Sequence, residues 1–212
     1  ARGLMTQEGI KLGELCEVAA SENAEIVMVW ETHFNASHLQ GEVTLVGFQE
    51  PIRADREEAQ ESEECQTKRK RRKKKVRGGG VAVYVKEGRN TGRASTRRGE
   101  DFELVAFDDR ASGLRYIVVY RRPGPNCSQQ FLDALDYEIQ GAAHPIVVGD
   151  LNMNLFHPKA QPRQLMNLLK YKHSLKQHVK FPTRKTQLGR GSCGKKISAT
   201  IKARGGSLID HV

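Results

Sequence analysis

Pro145-Ile146-Val147-Val148-Gly149-Asp150-Leu151-Asn152 is the stretch on which the fold reading turns. Its apolar, β-branched first half reads as a short buried strand, and the Gly-Asp-Leu-Asn that follows sets two polar side chains just past the strand's end. Sheets in α/β proteins gather their ligands at the carboxyl ends of strands. Three more apolar strands in this chain end the same way. EIVMVW (Glu25 to Trp30) runs into Glu31; LRYIVVY (Leu114 to Tyr120) closes on Tyr120 with Arg121, Arg122 and Pro123 behind it; SLIDH (Ser207 to His211) ends on Asp210 and His211.

Taken singly, each of these is ordinary. A lone carboxylate after a strand is commonly a turn or cap residue, and a strand-end Tyr is as often core or rim. Four such ends in one chain, one of them an Asp-His pair, point instead to a hydrolase whose carboxylates hold a metal ion. Phosphodiester hydrolysis needs a cation to neutralise phosphoryl oxygens, a base for the attacking water and donors that hold the phosphate in line.

Working outward, residues from about Thr6 to Glu22 carry Ile10, Leu15, Val18 and Ala19 at helical spacing, feeding the strand at Glu25 to Trp30. Further strands are expected at Val43 to Phe48, Gly80 to Val85, Phe102 to Phe107, Leu114 to Tyr120, Pro145 to Val148 and Ser207 to Val212. Helices are expected at Ser128 to Gln140, with Phe131, Leu132, Leu135 and Ile139 on one face, and at Pro162 to Tyr171, with Leu165, Met166, Leu168 and Leu169. This is mixed α/β with more strand than helix. With 212 residues, 38% of them hydrophobic, the chain reads as one domain, 1–212, with a real core. A charged insert interrupts it at 55–76. Acidic at first, it ends in eight consecutive bases from Lys68 to Lys75, a composition that cannot bury enough apolar surface to order itself. A solvated loop is one reading of it; a nuclear-import signal or a nonspecific DNA contact is the other.

The net charge of +10 has a second source: between Leu151 and Ile209 there are thirteen Lys or Arg and no Asp or Glu. Such an imbalance gives one region of the fold a positive face, suited to nucleic acid or an anionic membrane. Within it, a basic loop at 186–206 contains Gly189-Arg190-Gly191-Ser192-Cys193-Gly194-Lys195-Lys196, a near miss to the GxxxxGK[ST] phosphate loop. It lacks the hydroxyl residue after Lys195 and a preceding strand, so a flexible basic loop is the better reading. Cys16, Cys65, Cys127 and Cys193 are widely spaced with no metal-ligand pattern, which favours free thiols in a reducing compartment. With neither a membrane-length apolar run nor a signal-peptide pattern, an intracellular soluble protein without membrane partners is expected.

The ordered blocks Glu31-Thr32, Arg77 to Val85 (RGGGVAVYV), Tyr120 to Pro123 (YRRP), Gly149 to Asn152 (GDLN), Pro182-Thr183-Arg184 and Ser207 to His211 (SLIDH) resemble the successive signatures of non-LTR retrotransposon endonucleases, of the apurinic-endonuclease-like endonuclease/exonuclease/phosphatase superfamily. GDLN or Asp-His alone is weak; the set in that order, spanning nearly the whole chain, is specific. The resemblance implies a four-layer α/β-β/α sandwich of two mixed sheets flanked by helices. It also implies a nicking endonuclease for duplex DNA, with Mg²⁺ as the usual ion and Mn²⁺ as the alternative, fused to a reverse transcriptase and acting in the nucleus. By the same resemblance Glu31 is the metal ligand, Asp150 activates or orients the attacking water, and Asn152 positions phosphate and water. His211 contacts the scissile phosphate, Asp210 is the adjacent acid near the metal, and Tyr120 donates its hydroxyl to the phosphate. Arg121, Thr183 and Arg184 fall at the DNA-facing rim.

The chain departs from the family at four places. The family's opening strand carries a metal-binding Asn that would precede Ala1; Gln177 stands near where an Asp orients the catalytic His; His33 replaces a common Trp; and the chain ends one residue after His211. A Gln can hold an imidazole by a hydrogen bond but cannot stabilise its charged form. These departures motivate one rival to the nicking enzyme, a nucleic-acid-binding relic without catalysis; the architecture itself, which also serves small anionic substrates, motivates another, a phosphatase.

Overall fold

The computed structural model describes residues 4–6, 9–56, 78–124, 127–153, 155 and 160–179. The elements are β1 (Met5–Thr6), β2 (Gly9–Ile10), α1 (Leu12–Ser21), β3 (Ile26–Trp30), β4 (Ile52–Ala54), β5 (Val81–Val85), β6 (Thr91–Arg98), β7 (Phe102–Asp109), β8 (Leu114–Arg121), α2 (Gln129–Gln140), β9 (Pro145–Asp150) and α3 (Ala160–Met166). Apart from the β1/β2 hairpin they build two sheets. One has the order β3-β5-β4 and is antiparallel throughout; the other, β6-β7-β8-β9, pairs β8 with β9 in parallel and is antiparallel elsewhere. The expected strand at Ser207 to Val212 and the basic loop at 186–206 lie outside the described residues.

Strict alternation along three strands sets the layers, because successive side chains of a strand point to opposite faces. On β5, Val81, Val83 and Val85 face the other sheet, while Ala82 and Tyr84 join Ala19 of α1 and the buried Phe34, Val43, Leu45 and Phe48. On β7 and β8, Val105, Phe107, Val118 and Tyr120 meet that inter-sheet core. The alternate positions Phe102, Leu104, Ala106, Ile117 and Val119 pack instead under Phe131, Leu132, Leu135 and Ile139 of α2 and Leu165 of α3. Helix, sheet, sheet and helix are thus stacked in that order, the four-layer α/β sandwich the sequence led us to expect.

Local chemistry explains where elements start and stop. Ser128 caps α2, its hydroxyl accepting from the Phe131 N–H at 3.0 Å. α1 begins at Leu12 rather than Thr6 because the chain before it turns back as a hairpin, with the Lys11 N–H bound to the Leu4 carbonyl at 2.9 Å. The expected helix at Pro162 to Tyr171 is α3, continued by a π-helical turn, Asn167–Lys172.

The expected strand at Val43 to Phe48 does not form. Gln40–Val43 is a 3₁₀ turn, the Thr44 hydroxyl donates to the Gln40 carbonyl at 2.8 Å, and Gly47 (φ 81°) reverses the chain. Val43, Leu45 and Phe48 are buried all the same, so the apolar spacing reports core contact without a ladder. In the two main sheets, two strands had no signal. β4 is three residues long, and β6 (TGRASTRR) is an edge strand whose polar residues hide its period. Asp55 and Arg56, placed by their charge in the loose insert, belong to the folded body. Among the described residues no helix is long and apolar enough to cross a membrane.

Gly149 is needed where β9 meets β8. Its φ is 141°, and a Cβ there would sit 1.8 Å from the Val119 carbonyl oxygen of the neighbouring strand. Gly149→Ala should therefore destabilise the fold by roughly 4 kcal/mol or more, the range reserved for backbone clashes; a thermal melt within a degree or two of the parent would refute the close approach.

Candidate active site

Three of the strand ends singled out from the sequence meet at one rim of the sandwich. In the parallel pairing of β8 with β9, Tyr120 lies beside Asp150; in the antiparallel pairing of β7 with β8, it lies beside Glu103. All three occupy the face turned toward the β3-β5-β4 sheet, where β3 delivers Glu31 one residue past Trp30. The two sheets are tied there by the Tyr120 hydroxyl, which donates to Glu31 Oε1 at 2.8 Å. Burial, then the bond to Glu31 and the charge of Glu31, push the Tyr120 phenol far above its ordinary titration range. It remains a protonated donor throughout neutral pH, the form required to donate to a phosphoryl oxygen.

Backbone geometry at the rim is unusual. Glu31 (φ 56°), His33 (φ 60°) and Asn152 (φ 46°) all take left-handed conformations that non-glycine residues seldom adopt. Facing Thr32 and His33 is the turn Gly78-Gly79-Gly80, with φ of 99°, 101° and 90°. The Gly79 carbonyl accepts from the His33 N–H at 2.9 Å and the Gly80 carbonyl from the Thr32 N–H at 3.4 Å. A Cβ on Gly80 would lie 2.4 Å from the Thr32 hydroxyl oxygen, and Thr32 is itself fully buried. Glu31 is thus aimed by a backbone clamp one and two residues beyond it.

Asp150 and Asn152 form a second local unit. Asp150 Oδ1 accepts the Asn152 N–H at 2.9 Å, and the Asn152 amide donates to the Arg121 carbonyl at 2.8 Å, pinning the GDLN turn to the end of β8. Arg121 corrects the sequence reading. Expected at the DNA-facing rim, it points to the helix side of its sheet, 1% exposed, and its guanidinium donates to the carbonyls of Arg122 at 2.7 Å and Gly124 at 3.0 Å. Its work is to hold the β8 exit loop. His211, Asp210, Thr183 and Arg184 lie outside the described residues; Gln177, offered as a partner for His211, donates to the Val179 carbonyl at 3.0 Å.

Glu31 offers an oxygen donor of the hard kind that Mg²⁺ or Mn²⁺ prefers, so in chemistry it fits such an ion, with Asp150 and Asn152 on the same rim. Among the described residues no three His, Cys, Asp or Glu side chains gather closely enough to hold a metal, so a full ligand set also needs residues beyond them. A groove of about 600 Å³ lies elsewhere, lined by Leu114, His144, Pro145 and His173 at the start of β8 and β9, the opposite end of these strands from Tyr120 and Asp150.

Two residues of the rim escaped the sequence reading. Glu103 sits inside the apolar run FELVAF and is 1% exposed, while Arg56 was absorbed into the charged insert. Arg56 Nε and Nη2 donate to the two Glu103 carboxylate oxygens at 2.7 and 3.1 Å. A Glu inside a buried apolar run demands a cationic partner, and that demand was the available signal.

The fold and rim define an α/β sandwich with polar strand ends gathered between its sheets. No family model matches the chain, and no curated protein matches it. Among solved structures it is similar to an endonuclease/exonuclease/phosphatase protein from Bacteroides vulgatus, at 13% identity and a TM-score of 0.47, covering 82% of this chain and 69% of that one. It is also similar to an AP endonuclease from Archaeoglobus fulgidus, at 15% identity and 0.44, covering 73% and 58%. A third is D. rerio TDP2 complexed with single strand DNA product, at 13% and 0.42, covering 68% and 54%. The chain therefore spans little more than half the length of the latter two.

The buried Tyr120–Glu31 bond can be checked without any substrate. In the difference between alkaline absorbance titrations of the chain and its Tyr120→Phe variant, the Tyr120 phenol should titrate well above the ordinary 10.0, because burial and the Glu31 charge both disfavour the phenolate. A midpoint at or below that value would mean the hydroxyl is open to water.

Proposed function

We propose that the chain is a divalent-cation-dependent phosphodiesterase of the endonuclease/exonuclease/phosphatase superfamily, nicking one strand of duplex DNA. Within that reading it is the nuclease portion of a non-LTR retrotransposon protein acting in the nucleus, where the 3′-hydroxyl it leaves primes a fused reverse transcriptase. The observation that carries the proposal is the meeting of Glu31, Tyr120 and Asp150, from three strand ends far apart in sequence, at one rim between two sheets. The ordered motif wording supplies the substrate class.

A bound Mg²⁺ would neutralise phosphoryl charge and polarise the phosphorus. Glu31 and Asp210 are the residues that would hold it. The protein's own groups do the rest. Asp150, fixed by the Asn152 N–H, orients the attacking water and accepts its proton. The water oxygen bonds to phosphorus as the P–O3′ bond breaks, the departing oxygen takes a proton from solvent to become the 3′-hydroxyl, and Asp150 returns the proton it accepted to solvent. Tyr120 keeps its proton and can turn it from Glu31 to a phosphoryl oxygen, a preorganised donor where negative charge develops. His211 contacts the same phosphate. Arg163, Lys170, Lys172 and Lys176 are exposed on the acid-free stretch that follows β9, cations of the kind that bind a DNA backbone.

Purified protein should convert supercoiled plasmid to the nicked circle with Mg²⁺ and lose that activity in EDTA. Asp150→Ala and His211→Ala should each slow nicking on the order of 10² to 10⁴-fold, the scale of a positioned acid-base group. Parent-like nicking by His211→Ala would remove that residue from the assignment. Salt-sensitive DNA binding with no metal-dependent nicking would favour the binding relic, and faster phosphate release from inositol phosphates than nicking would favour the phosphatase.

A further inference from the structure

Glu103 and Arg56 form a buried ion pair whose surroundings belong to the candidate site. Glu103 is the strand neighbour of Tyr120. Its carboxylate accepts both Arg56 donors and, on Oε2, the Gly80 N–H at 3.3 Å. The third arm of Arg56, Nη1, donates to the Gly78 carbonyl at 2.9 Å, and the guanidinium carbon stands 5.9 Å from the centre of the Tyr120 ring. A Cβ on Gly79 would lie 2.5 Å from that guanidinium. The glycine turn is therefore wrapped around Arg56, and the same turn holds the backbone N–H groups of Thr32 and His33, the residues that aim Glu31.

We infer that the Arg56–Glu103 pair is the positioning device of the candidate active site, fixing the Gly78–Gly80 turn and through it the aim of Glu31 toward Tyr120. The inference rests on the phosphodiesterase reading for its catalytic consequence, not for its geometry. Neither residue touches substrate in this scheme; both act through others. A buried ion pair is a poor way to add stability, since an apolar pair of the same volume serves as well or better. Burial indeed works against the Glu103 carboxylate, raising its pKa despite the opposing influence of Arg56. What an apolar pair cannot supply is the set of bonds to Gly78 and Gly80 at fixed angles, which a planar guanidinium fork and a carboxylate can.

The test uses Arg56→Met, which keeps bulk without donors, and Arg56→Lys, which keeps charge without the fork and serves if the first variant does not fold. Amide hydrogen exchange is measured at Thr32, His33 and Gly80 and, for reference, at Val83 and Val105 in the strand centres; plasmid nicking with Mg²⁺ gives kcat and KM. Arg56→Met is expected to speed exchange about tenfold or more at the three rim amides with the strand centres unchanged. It should lower kcat on the order of 10²-fold with KM nearly constant, the cost of misplacing a catalytic group by about 1 Å. Arg56→Lys should recover part of both. Equal acceleration at rim and centre, or loosened rim amides with parent-like kcat, would overturn the inference. If the parent chain nicks nothing, the phosphodiesterase reading fails, and the exchange pattern alone decides whether the pair holds the turn.

Discussion

The central strands of both sheets are covered on two faces, and most of what is distinctive about this molecule follows from that constraint. β5, β7 and β8 each send alternate residues into separate cores, so a charged side chain on them must either lie at a strand end or bring its own partner. On the helix side of β8, Arg115 is matched by Glu138 of α2 at 2.5 Å. Burial works against the Glu138 charge, but hydrogen bonds from Arg115 and Arg97 outweigh it and hold that carboxyl below its ordinary pKa. On the inter-sheet side, Glu103 is matched by Arg56. Asp109, at the far end of β7, is held low first by its hydrogen bond with Arg89. The candidate site occupies the other permitted location, the strand ends.

Placing reactive groups at strand ends between two sheets gives them a rigid footing on regular structure and an open side toward solvent. The Tyr120–Glu31 bond and the Arg56–Glu103 pair both cross between the sheets at the site, on a separation already fixed by the apolar inter-sheet core. Left-handed backbone at Glu31, His33 and Asn152 is tolerated for the same reason: the glycine turn and the GDLN turn leave those residues no better conformation.

How much of this was legible in the sequence depended on whether a residue announced its burial. β-branched runs such as IVMVW and YIVVY betrayed their strands, and the polar residue following each run betrayed the rim; that is how Glu31, Tyr120, Asp150 and Asn152 were found. Val43 to Phe48 looked like the same kind of run, but local bonds and Gly47 keep most of it out of a ladder, and only its end pairs, in a single bridge between Phe48 and Lys86. β6 was invisible because an edge strand has little face to bury. Arg121 and Arg56 were misread for one shared reason. A one-dimensional reading sends every Arg to the surface, whereas both use guanidinium forks to tie loops from inside the protein.

β6 has one more consequence. Among the described residues it is the outer strand of its sheet, and a bare outer strand is a template onto which another chain can add its own. The sequence TGRASTRR places three arginines there and no Val, Ile, Leu or aromatic residue, so an approaching copy would meet like charge. Arg97 lies across the exposed Tyr137 ring at 4.3 Å, shading one of the few large apolar surfaces nearby. Such a border disfavours edge-to-edge pairing between copies, and it is made of the same polar residues that hide the strand's period.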